Sequence, residues 1–472
     1  MENVIACIDL KAFYASVECV DRGLDPFNTP LVVCDTDRSM GTIILSVTPY
    51  LRTLGIPSRL RRRELPHMKE MIYATPRMQR YIDVNCEIIS ILLDFVAEED
   101  LHIYSIDESF VNLTPYLTLY NKTADEIVAD IQKTIFKKTG LTATAGISYN
   151  IFMAKVALDN EGKNLKPNYR TTWTKEDVQK KLWKVSPIDK LWGISGGYKK
   201  RLEEIGIDTV EKLANAPKEY LKFKFGVIGE QLHDLANGID ESDIREKYIP
   251  MATSFSVGQT LFEDYDLNET KVLIRELSDD LCKRLHKNHK MTKQIALTII
   301  YNYDSVIPGF SKQVTLDNFT DDNSRLYQAL IEIFNSEVQN LGVRKVYISF
   351  GKLCEANFLY QSLFEDNDAS FENREVNLVV EKIQEKYGQE SISRTSSLLN
   401  KSMFKTRANQ IGGHRKWVIV AWKNGRPISP LLSKKFLLNK WKLIKKKLKN
   451  LYFARKKWRK LITIYLKIAA KP

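Results

Sequence analysis

Asp107 and Glu108 stand side by side in Ile103-Tyr104-Ser105-Ile106-Asp107-Glu108-Ser109-Phe110, where apolar residues alternate as in a half-buried strand. Burying one carboxylate without a partner is costly, and burying two neighbours is worse unless a cation or proton relieves the repulsion. A hard divalent cation such as Mg²⁺ does this through carboxylate oxygens. Neighbours on a regular strand point to opposite faces, so one site receives both only where the backbone turns or bulges. The octet alone admits two readings, a hairpin tip with two solvated acids or a metal site.

At 472 residues the chain exceeds one core, and its length suggests roughly three domains. No apolar run approaches the roughly 18 residues of a spanning helix, and the N-terminus has no basic region ahead of an apolar one, so no secretory signal is expected. Six scattered cysteines without a Cys-x-x-Cys pair read as reduced thiols of a cytoplasmic protein. Cys282, His286 and His289 share a helical face, but a fourth zinc ligand is not evident.

The net charge of +13 is local: residues 417–472 hold 17 Lys+Arg and no acid, and without them 54 of the 71 basic residues face 58 acidic ones. Bulk charge therefore does not argue for nucleic acid, and local sites must.

Val4 to Leu10 is an apolar run ending in Asp9 and Leu10, as in a central strand with an acid at its carboxyl end. A helix is expected from Ala12 to Arg22, strands at Leu31–Cys34 and Thr42–Leu45, and a short helix from Pro49 to Leu54. Arg59-Leu60-Arg61-Arg62-Arg63 follows. Helical spacing runs from Pro76 to Glu98, then come the Asp107–Glu108 strand pair, a helix from Thr123 to Lys138 and a strand from Thr142 to Ile147. This order is a split βαβ, ferredoxin-like pattern, which sets Asp9 and Asp107 on neighbouring central strands. Three carboxylates from two strands suit a pair of metal ions about 3.5–4 Å apart.

Leu191 to Tyr198, with Gly193, Ser195, Gly196 and Gly197, is a Gly-rich hairpin before the helix Lys199 to Ile205. Leu221 to Asn237, centred on Gly226 and Gly229, reads as a weaker second copy. Exposed N–H groups at such turns can hold phosphate, although an ordinary glycine-capped helical hairpin would read alike. From Met251 to Leu353 the pattern strand, helix, strand, strand, helix, strand forms a second βαββαβ unit and a domain of its own.

Together these residues resemble the Y-family, UmuC/DinB-type lesion-bypass DNA polymerases over roughly residues 1–415. The matches are Ile8-Asp9-Leu10-Lys11-Ala12-Phe13-Tyr14-Ala15-Ser16-Val17-Glu18, Ser105-Ile106-Asp107-Glu108-Ser109, and Ala145-Gly146-Ile147-Ser148 with Asn150 and Ala154-Lys155 behind it. Arg407 to His414 is similar to the UmuC-related polymerases of Gram-positive bacteria and their mobile elements. The resemblance implies an α+β multidomain protein. Its ferredoxin-like palm with small fingers would span residues 1–175 (fingers about 25–75), and a helix-hairpin-helix thumb 176–245. A βαββαβ little finger would span 246–355, a linker and C-terminal region 356–416, and a basic tail 417–472.

It also implies error-prone, template-directed translesion synthesis in an SOS-type damage response. Asp9, Asp107 and Glu108 would be catalytic and would hold two Mg²⁺ ions, or Mn²⁺, with the Leu10 carbonyl as a further ligand. Phe13 and Tyr14 would lie at the nucleotide, Tyr14 as the steric gate against a ribose 2′-OH. Arg52 would grip the triphosphate. The family's lysine falls in strict register on Gly162, making Lys163 the stand-in, and the family's Tyr before the arginine is Pro49 here. The glycines of both hairpins and Ser195 would bind DNA. Gln361-Ser362-Leu363-Phe364 resembles the motif that binds the sliding clamp, and an accessory UmuD-like or recombinase partner would fit the family. Expected substrates are primer–template DNA and dNTPs.

The tail follows three/four apolar spacing and reads either as a basic amphipathic helix for DNA or an anionic membrane, or as out-of-frame sequence. Two other function classes remain: a non-catalytic DNA- or clamp-binding relative, which has no need of three costly carboxylates, and a palm-fold nucleotidyl cyclase, which has no long duplex to hold.

Overall fold

Six residues, Ile5–Leu10 (β1), all buried but the half-buried Asp9, form the middle of a five-stranded sheet in the computed structural model, which describes residues 3–246, 254–356 and 367–416. A strand buried on both faces needs helices on both sides, and the sequence supplies them. Lys11 and Ala12 turn the chain into α1 (Phe13–Val20), with Ala12 in the left-handed region at φ 50°. A side chain there costs roughly 1 kcal/mol, and the strain sits three residues from Asp9.

Leu31–Val33 (β2) and Ser46–Val47 (β3), followed by α2 (Pro49–Thr53) and Ile72–Ala74 (β4), build a small three-stranded sheet of order β3-β2-β4. The strand expected at Thr42–Leu45 is displaced: β3 begins at Ser46, and Ile43 makes only an isolated bridge to Arg61. A turn in which the Thr42 N–H bonds the Ser39 carbonyl delays the pairing.

The helix α3 (Met78–Leu92) ends before the expected Glu98. Val96 beyond it is still buried in the same core, so the apolar spacing outlasts the helix. Next come Leu101–Ile103 (β5), Glu108–Asn112 (β6), α4 (Thr114–Tyr120) and α5 (Ala124–Thr139). The helix α5 opens on a Thr123/Glu126 capping box and stops at Gly140. Ala143–Ser148 (β7), α6 (Ile151–Ala157), a π-helical turn at Leu158–Gly162 and Arg170–Thr172 (β8) complete the unit. The sheet order is β5-β6-β1-β7-β8, with β1 antiparallel to β6 and β7. Ala6, Ile8 and Leu10 pack with α1, α3 and α5, while Ile5 and Cys7 face Ala154 and Leu158 on the other side.

A helical region follows, α7 (Asp177–Lys180), α8 (Gly196–Glu203), α9 (Val210–Asn215), α10 (Lys218–Phe225) and α11 (Val227–Ala236), with its own core around Leu202, Leu213 and Leu232. The second βαββαβ unit is present as expected: Ser254–Tyr265 (β9), α12 (Leu267–Lys287), Lys290–Tyr301 (β10), Gly309–Thr320 (β11), α13 (Asn323–Glu337) and Val343–Gly351 (β12). Its antiparallel order is β11-β10-β12-β9, with α12 and α13 over one face. The short β13 (Cys354–Glu355) pairs with β10, and α14 (Asn367–Tyr387), α15 (Phe404–Ala408) and a hairpin of β14 (Gln410–Ile411) and β15 (His414–Arg415) follow. No helix among the described residues is long and apolar enough to cross a membrane.

Candidate active site

Asp9 is the Cα partner of Glu108 across the β1–β6 pair, so two acids far apart in sequence are brought together by register. The Cys7 thiol, two residues before Asp9 on the same face of β1, donates to the Glu108 carboxylate at 3.0 Å. Asp107 lies outside β6: its carbonyl accepts the Leu10 N–H at 2.9 Å, and its carboxylate accepts the Ser105 hydroxyl at 2.7 Å. The backbone leaves strand geometry at Asp107, as adjacent acids require. Glu108 is the first residue of the strand proper and turns inward, only 7% exposed, to Lys155 Nζ at 2.8 Å.

The acids are laced by lysines in a ladder. Lys163 Nζ lies 3.1 Å from Asp9 and 2.8 Å from Asp159, and Lys155 joins Asp159 at 3.0 Å to Glu108. Burial pushes the Asp9 carboxyl up to about 6; Lys163 opposes the rise, and Asp107 and Glu108 add to it. Lys163 is held well above the usual lysine range by Asp9 and Asp159, against the effect of burial.

The π turn explains why Lys163, and not the residue in strict register, reaches Asp9. One extra residue is absorbed between Leu158 and Gly162, closed by the Lys163 N–H on the Leu158 carbonyl at 3.0 Å. Gly162 is pressed against the first sheet: a Cβ there would sit 2.4 Å from the Ala145 carbonyl oxygen. No side chain fits at that position, so the cation comes one residue later. Glu161 anchors the turn through Thr171 at 2.9 Å and Lys181 at 3.0 Å.

Lys11, to which motif reading gave no role, also lies beside the acids. Its ammonium donates to the Lys163 carbonyl at 2.6 Å and lies 4.7 Å from the Tyr169 ring centroid. Its pKa is lowered to about 8, chiefly by burial and then by Arg52, Lys163 and Lys166, while Asp9 opposes them. Arg52, exposed on α2, is thus electrostatically coupled to the acid site. Lys11, Arg52, Lys163 and Lys166 repel one another near the Asp9 carboxylate. The one signal in the sequence was a lysine two residues after an acid at a strand end.

Tyr14 is half-buried on α1, stacked on Tyr81, with the Phe13 ring 5.6 Å away. Burial raises the pKa of its phenol, and the Asp107 charge adds to the rise. Phe13 itself is buried in the core behind it.

Among the described residues no three His, Cys, Asp or Glu side chains converge as a metal cluster. Asp9 and Glu108 spend their oxygens on Lys163 and Lys155. The donors nevertheless suit a hard divalent cation, since the buried Asp9 carboxyl remains raised even with a lysine against it. At the other candidate, His286 bonds Glu381 at 2.9 Å and the Asp321 carbonyl at 3.0 Å, a satisfied core histidine.

Of the DNA-binding glycines, Gly196 and Gly197 open α8 behind Ser195 and leave free space around their backbone, and Gly193 makes the turn before them. Gly226 separates α10 from α11. Gly229 is a correction: it is buried, its N–H donates to the Gly226 carbonyl at 2.9 Å, and a Cβ would strike the Leu221 carbonyl oxygen at 2.1 Å. Its place is helix packing. Gln361, Ser362, Leu363, Phe364 and the basic tail lie outside the described residues.

Residues 8–159 match the model of the impB/mucB/samB family, and residues 252–363 match that of the family's C-terminal domain. A Bacillus subtilis protein named UvrX, for UV-damage repair, is 35% identical over 415 residues, covering 87% of this chain and 97% of its own. The chain belongs to this family, the UmuC/DinB-type Y family. Two further Y-family relatives, both named DNA polymerase IV 2, come from B. subtilis (31% identical over 420 residues, 88% of this chain and 99% of its own) and Halalkalibacterium halodurans (29% over 418, 88% and 100%).

Proposed function

We propose that this Y-family DNA polymerase extends a primer across damaged template bases in a damage response, by in-line attack of the primer 3′-OH on the α-phosphate of a dNTP. The observation that carries the reading is the pairing of Asp9 with Glu108 beside Asp107, against a set of mutually repelling cations, Lys11, Arg52 and Lys163. An acid cluster beside a cation cluster suits a substrate that brings polyphosphate and counter-ions together.

In this reading Asp9, Asp107 and the Leu10 carbonyl would hold two Mg²⁺ ions, with Glu108 completing the site, and the metal would neutralise charge on the attacking and leaving oxygens. Lys163 then exchanges Asp9 for the triphosphate while Asp159 keeps it in place. Arg52 and Lys11 take the remaining phosphate charge and stabilise the departing pyrophosphate. Lys155 pairs with Glu108 in its buried position. Tyr14 occupies the space below the sugar.

The two βαβ units and the helical region between them act as palm, little finger and thumb, with the three-stranded sheet as fingers. The little-finger face away from α12 and α13 supports a sequence-independent grip. Its registered rows include Ser311, Thr298, Tyr347 and Gly258, and Gln313, Ala296, Ser349 and Ser256. Hydroxyls and amides of this kind bond phosphate oxygens without reading bases.

The test is primer extension with Mg²⁺ across an abasic or dimer template, comparing the native chain with Asp107→Ala. Loss of product in the variant supports the reading, and equal product from both proteins sinks it.

A further inference from the structure

The segment Lys401–Lys416 begins on the second sheet domain and ends on the first. Glu276, buried on α12, accepts the Ser402 hydroxyl at 2.5 Å and the Met403 N–H at 3.2 Å, and Met403 is buried in that domain's core. Arg407 pairs with Asp280, one position beyond Asp279 on the same helix. At the other end the β14–β15 hairpin turns on Gly412 and Gly413 and brings Arg415 Nε 3.0 Å from the buried Asp35, with Asp37 as a second partner. Arg38 donates to the Gly413 carbonyl, and the Gln79 N–H on α3 donates to the Lys416 carbonyl at 3.2 Å. The Arg38 guanidinium also lies 5.3 Å from the Phe262 ring centroid on β9, so the two domains already meet beside the hairpin.

We propose that Lys401–Lys416 is a strap that holds the little finger beside the fingers, and that Arg415 and Arg407 are its positioning residues. The contacts at the fingers end are polar or ionic, unlike the apolar packing that fixes each domain's interior. Such contacts can be removed singly without unfolding either core. A grip made of two freely moving halves loses orientational freedom each time it closes on DNA, whereas a strapped one has lost it already. The strap thus keeps the enzyme on its primer–template between insertions and leaves the chemistry of one insertion alone. The inference rests on the proposed reading that both domains hold DNA.

Full-length Arg415→Ala, Arg407→Ala and the double variant test it. A spin-label pair, one on the three-stranded sheet and one on the second sheet, should show a broadened distance distribution in each DNA-free variant. DNA dissociation should quicken about tenfold in each single variant. The first insertion from a preformed complex should stay within about twofold of the native rate. Both arginines act through the one strap, so the double variant should add little to either single, whereas two unrelated local losses would add. Native distances and dissociation in both single variants, or additive effects in the double, would overturn the strap. If the native chain fails to extend primers, the polymerase reading falls instead, and the distance measurement still decides the strap.

Discussion

Tyr14 and Tyr81 lie face to face, ring centroids 4.3 Å apart and planes 17° from parallel. Tyr81 is fixed in turn, its hydroxyl donating to the buried Glu18 at 2.8 Å, and Glu18 is gripped by Arg77. The ring proposed to exclude a ribose 2′-OH therefore stands against a wall. Tyr14→Ala should raise ribonucleotide use relative to deoxynucleotide by about 10–100-fold. Tyr81→Leu keeps the gate but removes the stack, worth about 0.5–1.5 kcal/mol, and should raise it by about 2–10-fold. Single-turnover insertion of paired ribo- and deoxynucleotides measures both, and an unchanged ratio in Tyr14→Ala refutes the gate.

Lys11, with its pKa lowered to about 8, should make nucleotide binding sensitive to mild alkali. The ammonium is charged below that pH and loses its proton above it, so dNTP affinity should weaken as pH rises from 7 to 9. Arginine stays charged throughout, so Lys11→Arg should flatten the dependence. The quantity to follow is the dNTP dissociation constant, because the insertion rate also reflects ionisation of the primer hydroxyl. A native profile identical to that of Lys11→Arg counts against a role for Lys11 at the triphosphate.

Asp9 carries an instability that the metal-free protein should reveal. Its folded pKa of about 6 exceeds the ordinary aspartate value of 3.8. Between those values the folded state binds more protons than the unfolded one, so stability falls as pH rises through the window. Below it the acid is neutral in both states and the penalty vanishes. Asp9→Asn should therefore stabilise the metal-free protein at pH 7.5 by about 1–3 kcal/mol, but have little effect near pH 4. The same variant should lose primer extension. Thermal melts with chelator at both pH values check the sign; equal gains at both would mean that the stabilisation does not come from removing the charge.

Apolar runs ending in acids made β1 and the Asp9–Glu108 neighbourhood legible, because a strand buried on both faces shows itself as an unbroken apolar string. The second βαββαβ unit was legible for a related reason: its helices and strands are long enough for their periods to differ clearly. What stayed hidden depended on tertiary contact. The π turn before Lys163 leaves no compositional trace, and only the close approach of Gly162 to Ala145 shows why the lysine lies one residue late. Gly229 looked like Gly196, yet one is buried and the other open to solvent. Lys11 was given no role because its neighbours Arg52, Lys163 and Lys166 come from other elements, and its lowered pKa arises from burial and from them.

Gly258 and Tyr347 are register partners on β9 and β12, and a Cβ on Gly258 would fall 2.0 Å from the Tyr347 ring. The missing side chain lets the ring lie across the open face of the second sheet, where Tyr347 remains 42% exposed. If that face holds the DNA backbone, Gly258→Val should displace the ring and weaken primer–template binding about tenfold, close to 1.4 kcal/mol. Tyr347→Ala should do the same. Neither change alters charge, so the slope of log affinity against log salt should stay as in the native chain. Lys345→Ala, on the same face, should lower that slope by about one phosphate contact. Fluorescence anisotropy at several salt concentrations separates the two behaviours. Native affinity in both Gly258→Val and Tyr347→Ala would remove this face from the DNA path, because the ring could not then be a contact whose position matters.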